Sequence, residues 1–211
     1  MAEARADELL TNAIPASIAR RLRRGEERIA ETYRETTVVF TDVAGFTPWA
    51  QRTDPARIVA LLDDLFTRFD ATAAECGVEK IKTVGDAYMA VAGAPIERAD
   101  HAEVALAFAR SMLAATADWR TANRLDLEVR IGMASGPVVG GVIGRRRILF
   151  DLWGATVNTA ARMESSGVAG RIQLAASTRE RLETAVACDV RTVDIKGLGE
   201  MTTYLVAADR Q

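Results

Sequence analysis

Apolar residues recur at helical spacing in two long stretches, and short runs rich in β-branched residues lie between and after them. In the first stretch the apolar residues that share one helical face are Ile58, Leu61, Leu62, Leu65, Phe66 and Phe69. This periodicity predicts an amphipathic helix. Runs such as Thr37–Phe40 predict strands. The resulting order, strand–helix–strand–strand–helix–strand, is typical of a ferredoxin-like core.

The expected fold class is therefore α+β, a ferredoxin-like βαββαβ core with extra strands and helices, preceded by an N-terminal helical segment. The predicted strands are Thr37–Phe40, Glu79–Thr83, Tyr88–Val91, Leu127–Ser135, Val138–Ile143, Ile148–Leu152 and Ile172–Ala175, with further strands between Arg191 and Val206. The predicted helices are Asp54–Cys76, Ala99–Arg120, Val157–Glu164 and Ser177–Thr184. Gly136-Pro137 is expected to end one strand.

Residues 3–34 show helical periodicity amid arginine and glutamate, with a break near Pro15. We expect residues 1–35 to form a helical segment and residues 36–211 to form the main domain. The arginine cluster at residues 20–24 has three possible roles: a solvated face, a juxtamembrane segment or part of a helical coupling element.

Composition restricts the classes of function. The chain has 211 residues, of which 49% are hydrophobic, enough for one large domain with a substantial core. The net charge of −2 gives no general attraction to nucleic acid. The single histidine, His101, argues against a zinc site or a histidine-based triad and is interpreted as structural. Two cysteines without metal-type spacing and no membrane-spanning apolar run predict a soluble, cytoplasmic protein.

Two aspartates stand where predicted strands end. Asp42 follows the strand Thr37–Phe40, and Asp86 lies in the turn between two later strands. Carboxylates at neighbouring strand ends supply the hard oxygen ligands that Mg²⁺ and Mn²⁺ prefer. Each aspartate, taken alone, is also compatible with an ordinary turn residue beside glycine.

Several motifs in order resemble the catalytic domain of class III nucleotidyl cyclases, across about residues 36–206. These motifs are Phe40-Thr-Asp-Val-Ala-Gly-Phe-Thr47, Lys80-Ile-Lys-Thr-Val-Gly-Asp86, Arg130-Ile-Gly132, Phe150-Asp-Leu-Trp-Gly-Ala-Thr-Val-Asn158, Arg162 and Lys196-Gly-Leu-Gly199. The resemblance implies an adenylate cyclase, which converts ATP to 3′,5′-cyclic AMP and pyrophosphate.

The resemblance also implies roles for named residues. Asp42, Asp86 and the carbonyl of Val43 would bind two divalent cations, Mg²⁺ or Mn²⁺. Lys82 and Asp151 would recognise the base: an ammonium can donate to N1 of adenine, and a carboxylate can accept from its N6 amino group. This pair favours ATP over GTP.

The remaining implied roles concern the ribose and the phosphates. Asn158 would orient the ribose, and Arg162 would stabilise charge on the α-phosphate in the transition state. Because they are four residues apart, both lie on one helical face. Arg130 and Lys196 would hold the terminal phosphates.

In this family the active site lies between two catalytic domains. One domain supplies the metal-binding aspartates, and the other supplies the residues for the base and the transition state. One chain here carries both sets, so the resemblance implies a head-to-tail homodimer with two equivalent sites. The N-terminal segment resembles a coupling element, which suggests an upstream membrane or sensor domain. The basic tip Arg145–Arg147 is interpreted as either solvated or a dimer contact.

Each of these residues also has an ordinary structural interpretation: Lys82 facing solvent, Asp151 in a turn, Arg130 paired with Glu128. Three other functions stay open. They are a guanylyl cyclase, a non-catalytic regulatory domain that dimerises, and a polymerase-type nucleotidyl transferase. The last would need a nucleic-acid groove, which the acidic balance and the lack of an aromatic-basic stripe disfavour. No nucleic-acid partner is expected.

Overall fold

A computed structural model describes residues 14–144, 148–197 and 199–207. The helices are α1 (Ala16–Arg23), α2 (Phe46–Ala50), α3 (Pro55–Cys76), α4 (His101–Asn123), α5 (Ala155–Ser165) and α6 (Ala176–Arg179). The strands are β1 (Ala30–Ala44), β2 (Glu79–Val84), β3 (Ala87–Ala92), β4 (Glu128–Ile143), β5 (Leu149–Trp153), β6 (Ile172–Ala175), β7 (Cys188–Ile195) and β8 (Gly199–Val206).

The strands form one sheet in the order β2-β3-β1-β4-β6-β8-β7, and β5 pairs with β4 as a hairpin. All neighbours are antiparallel except β4 and β6. One core lies between the sheet and helices α3 and α4. A second core, on the opposite face, contains residues of α1, β5 and α5. The predicted ferredoxin-like α+β fold, with its additional strands, is confirmed.

Helix α3 follows its sequence pattern closely. Asp54 caps its N-terminus by accepting hydrogen bonds from the amides of Ala56 and Arg57. The buried residues of the helix are Leu61, Leu65, Phe69 and Ala73. The amphipathic stripe therefore faces the sheet, as the periodicity predicts.

The prediction that Gly136-Pro137 ends a strand is wrong. Strand β4 continues through both residues, and β1 compensates with a shift in register between Tyr33 and Thr36. The Thr36 hydroxyl donates to the Gly136 carbonyl at 2.7 Å, which holds the two strands together at this irregularity. The prediction failed because proline is tolerated in a strand at such a bulge.

The N-terminal segment is helical only in part. Helix α1 spans Ala16–Arg23, but residues 30–34, predicted as helix, begin strand β1. The expected boundary after residue 35 therefore falls inside a strand. Ile18 and Ala19 of α1 are buried in the second core. The coupling role of this segment stays a prediction.

Two short helices differ from the sequence prediction. The helix predicted at Ser177–Thr184 is the shorter α6, and α2 was not predicted. The basic tip at residues 145–147 lies outside the described residues. No helix in the described ranges is long and apolar enough to cross a membrane.

His101 is buried at the start of α4. Its Nδ1 and the Thr37 hydroxyl are 2.7 Å apart, and that hydroxyl also lies 2.6 Å from the hydroxyl of Ser135. Burial lowers the pKa of this imidazole. These contacts join α4 to two central strands, in agreement with the structural role expected for this histidine.

Candidate active site

The two aspartates from separate motifs meet at one end of the sheet. Asp42 is near the end of β1, and Asp86 is in the β2–β3 turn. The pKa of Asp86 is raised to about 6, first by burial and then by a hydrogen bond to Asp42 and its negative charge. The backbone amide of Val43 also donates to Asp86. Thr41 of β1 pairs with Tyr88 of β3, which places the two carboxyl groups near each other and concentrates negative charge at this end of the sheet.

Arg130 lies on the neighbouring strand β4 and contacts Asp42. The two residues are opposite each other in the β1–β4 register. The Arg130 Nη2 donates to Asp42 Oδ2 at 2.9 Å, and its Nε donates to Glu164 Oε1 at 3.0 Å. The alternative pairing of Arg130 with Glu128 is wrong, since Glu128 contacts Arg120 instead.

Sequence reasoning missed Glu164, which it used only as the end of a helix. Its side chain is 12% exposed and engages Arg130 from helix α5. Helical spacing could have found it, because Glu164 follows the buried Ala160 by four residues and so shares the face that packs on the sheet.

Glycine at position 132 allows this contact. A Cβ built there would lie 1.9 Å from the Glu164 nitrogen and 2.5 Å from the Met163 carbonyl carbon. A methyl group at this position would overlap the helix backbone. The absence of a side chain therefore lets α5 approach β4 closely enough for Glu164 to reach Arg130.

Lys82 and Asp151 form a second charged pair, on β2 and β5. Lys82 Nζ donates to Asp151 Oδ2 at 2.5 Å, and Asp151 Oδ1 accepts from the Leu152 amide at 2.8 Å. Asp151 is buried. The structure thus contradicts the interpretations of Lys82 as an unpaired solvent lysine and of Asp151 as a turn residue.

A β-bulge places Lys82 on this face. The β2–β3 register shifts between Lys80 and Lys82, so that Ile81 is an extra residue. Lys80 contacts Asp70 of α3 on one side of the sheet, whereas Lys82 contacts Asp151 on the other. In a regular strand these two lysines would point to the same face. The bulge therefore brings Lys82 to its partner.

Asn158, Arg162 and Lys196 line one open depression. Ala161 and Gly197 complete its lining, and its volume is about 450 Å³. The three polar side chains come from α5 and from the turn between β7 and β8. Arg162, Lys196 and the Asn158 amide therefore line a space large enough for part of a nucleotide.

Helix α5 separates this depression from the aspartates. At about 100° per residue, Arg162 lies about 160°, and Asn158 about 120°, around the helix from Glu164. Glu164 faces Arg130 and Asp42 of its own chain. Arg162 and Asn158 thus project away from the carboxylate pair of the same chain.

The donor set fits a Mg²⁺ or Mn²⁺ site completed by substrate. Among the described residues, no three His, Cys, Asp or Glu side chains form a metal-binding group. Asp42 and Asp86 can supply two carboxylates, with Val43 backbone beside them. Mg²⁺ is commonly bound by one or two carboxylates together with substrate phosphates. A pair of carboxylates is therefore sufficient when a polyphosphate provides further oxygens.

Comparison with known proteins identifies the family. Residues 29–208 match the family model described as the adenylate and guanylate cyclase catalytic domain. An adenylate cyclase from Mycobacterium tuberculosis is 42% identical over 212 residues, covering 97% of this chain and 48% of the relative. The chain belongs to this cyclase catalytic-domain family, and it spans about half the length of that relative.

Solved structures show the same fold. The catalytic core of a rhodopsin-guanylyl cyclase with converted specificity, in complex with ATPαS, has a TM-score of 0.80 and 40% identity. The match covers 85% of this chain and 98% of that core. A non-canonical dimeric guanylyl cyclase domain from the RhoGC fusion protein of the fungus Blastocladiella emersonii has a TM-score of 0.76 and 37% identity, over 84% and 98% of the two chains.

Proposed function

We propose that this protein is an adenylate cyclase, which forms 3′,5′-cyclic AMP and pyrophosphate from ATP at sites shared by two chains. The observation that carries the proposal is the placement of Asp42 and Asp86 at the same end of the paired strands β1 and β3, in a chain that also presents Asn158 and Arg162. Two divalent cations at such a carboxylate pair supply charge neutralisation for the triphosphate and lower the pKa of the ribose 3′-hydroxyl.

Base selection is assigned to Lys82 and Asp151. They hold a donor and an acceptor next to each other, as the N1 and N6 positions of adenine require. The Leu152 amide fixes the carboxylate that would accept from N6. Guanine presents the reverse order at these positions, a donor at N1 and an acceptor at O6. The rhodopsin-guanylyl cyclase core with converted specificity, bound to ATPαS, supports adenine use on this fold.

The other polar residues act by position and charge. Asn158 orients the ribose, and Arg162 stabilises the negative charge that builds on the α-phosphate as the 3′-oxygen attacks. Lys196, which lies in the same depression, holds terminal phosphates from that side. Arg130 holds them from the side of the carboxylates. The chemistry is an internal displacement, so no protein nucleophile is needed.

A symmetric homodimer completes the site. Within one chain, Arg162 and Asn158 project away from Asp42, because Glu164 occupies the helix face that turns toward it. A second chain in head-to-tail orientation would bring its own Arg162 to the carboxylate pair of the first. The non-canonical dimeric guanylyl cyclase domain from Blastocladiella emersonii supports only that domains of this fold associate. An upstream membrane or sensor domain could set the geometry of this dimer.

Product formation from ATP and from GTP tests this function. With Mn²⁺ or Mg²⁺, we expect cyclic AMP from ATP and at least about tenfold less cyclic GTP from GTP, since mispaired buried polar groups cost at least one such factor. Chromatographic separation of the two products gives the ratio. A preference for GTP would replace the proposal with a guanylyl cyclase. No cyclic product from a protein shown to be dimeric would favour a regulatory domain.

A further inference from the structure

Glu164 has no role in the chemistry proposed above, yet it is the most enclosed charged group around Arg130. Its side chain is 12% exposed, compared with 29% for Arg130 and 26% for Asp42. It contacts the arginine through Nε, while Nη2 points to Asp42. The guanidinium is thus held by Glu164 at its inner nitrogen, and one of its outer nitrogens, Nη2, contacts Asp42.

The backbone that carries Glu164 is fixed on both sides. Toward the sheet, the close approach at Gly132 sets the height of α5 over β4. At the end of the helix, the buried side chain of Gln173 donates to the Met163 carbonyl at 3.1 Å and lies 2.8 Å from the Ser166 hydroxyl. Glu164 is therefore positioned by the packing of its helix and does not project freely from the surface.

A cation bound at the carboxylate pair would weaken the contact between Arg130 and Asp42. A divalent cation bound by Asp42 would repel the guanidinium and take over the carboxylate oxygen that it now contacts. Arg130 would then move away from Asp42. The Nε contact to Glu164 can persist, because a different nitrogen of the guanidinium makes the contact to Asp42. The freed Nη groups would face the polyphosphate that accompanies the cations.

We propose that Glu164 is a positioning residue, which retains Arg130 beside the carboxylate pair and directs its outer nitrogens to the β- and γ-phosphates of the bound nucleotide. The identity of that ligand rests on the proposed function. Glu164 itself does not touch the nucleotide. Its effect should pass entirely through Arg130 and should depend on the presence of the terminal phosphates.

Binding of nucleotides that cannot cyclise measures this effect without turnover. The probes are 3′-deoxy-ATP and 3′-deoxy-AMP, titrated calorimetrically into the dimeric protein in Mn²⁺. Glu164→Ala should weaken binding of 3′-deoxy-ATP about tenfold, the size of one charge-assisted hydrogen bond. Binding of 3′-deoxy-AMP should change by less than about twofold, because its single phosphate does not reach Arg130.

Three variants make the test specific. Glu164→Gln keeps the shape and one acceptor oxygen, so its loss should be smaller, about threefold. Arg130→Ala should weaken 3′-deoxy-ATP binding at least as much as Glu164→Ala, and the double variant should bind no worse than Arg130→Ala alone. The control is Asp64→Ala, which removes a comparable carboxylate–arginine contact with Arg68 on α3 and should leave binding unchanged.

The outcomes separate this inference from the proposed function. An equal loss for both nucleotides, or a further loss from Glu164→Ala in the Arg130→Ala background, would overturn the role of Glu164. So would wild-type protein that binds no 3′-deoxy-ATP. Wild-type protein that shows the predicted binding pattern but makes no cyclic AMP would support Glu164 as positioning residue and would reject only the cyclase activity.

Discussion

Asp42→Ala is expected to lower the rate of cyclic AMP formation at least about 100-fold, because the remaining carboxylate cannot hold two cations. Asp42 and Asp86 lie near each other at one end of the sheet, where Thr41 pairs with Tyr88. Removing one of them leaves a site with half of its side-chain oxygen ligands. The rate at saturating Mn²⁺ and the affinity for Mn²⁺ should both fall.

The matched control for this variant is Asp63→Ala, which removes an exposed carboxylate from α3, in the other layer of the fold. Its rate should stay within about twofold of the wild-type rate, as is usual for surface positions. Thermal unfolding of both variants shows whether the loss reflects the site or the fold. An Asp42→Ala protein that is folded and retains a third of the wild-type rate would contradict the assignment.

Arg162→Ala is expected to lower kcat about 100- to 1,000-fold with little change in KM, the pattern of a group that acts only in the transition state. Arg162 is exposed in the depression, and no salt bridge engages it within the described ranges. Its guanidinium is thus available for charge that develops on a substrate. A cation is most effective in this role when it is not already neutralised.

Steady-state kinetics distinguish this role from simple substrate binding. If Arg162 only bound the ground state, its removal would raise KM and leave kcat unchanged. The control is Arg57→Ala, an exposed arginine near the start of α3, for which both constants should be unchanged. A kcat within about tenfold of wild type for Arg162→Ala would reject the transition-state role.

The sequence predicted much of the fold because most elements are specified by local signals. The apolar stripe from Leu61 to Phe69 predicts α3, and its helix occurs with Leu61, Leu65 and Phe69 buried. The prediction for the N-terminal segment was wrong at residues 30–34, because the helical periodicity of the preceding residues was extended to them. Those residues form a strand by pairing with β4, a contact about 110 residues away that local pattern does not reveal.

The candidate site was predictable in its residues but less so in its geometry. Motifs named Asp42, Asp86, Lys82 and Asp151, whereas the register shift at Ile81 decides which face Lys82 occupies. Regular alternation of side chains along a strand would place Lys82 on the same side of the sheet as Lys80, which is the wrong side. A bulge depends on pairing between two strands, so the residue pattern of one strand alone does not predict it.

Glu164 illustrates the same limit for side-chain contacts. Its position on the inner face of α5 follows from helical spacing, but its contact with Arg130 requires the close approach at Gly132. That approach is a property of packed backbones. The proposed roles of these residues in catalysis all depend on a site shared between two chains.

A purified heterodimer tests that claim most directly. Asp42→Ala and Arg162→Ala chains are co-expressed with different affinity tags, and the mixed dimer is isolated by two successive purifications. With shared sites, this dimer has one intact site and should show about half the wild-type rate, although each parent homodimer is nearly inactive. The matched control pairs a wild-type chain with an Asp42→Ala/Arg162→Ala chain. That control should be nearly inactive, since each of its sites lacks one residue. The reverse pattern, an inactive mixed dimer and a half-active control, would place each active site within one chain and contradict the account.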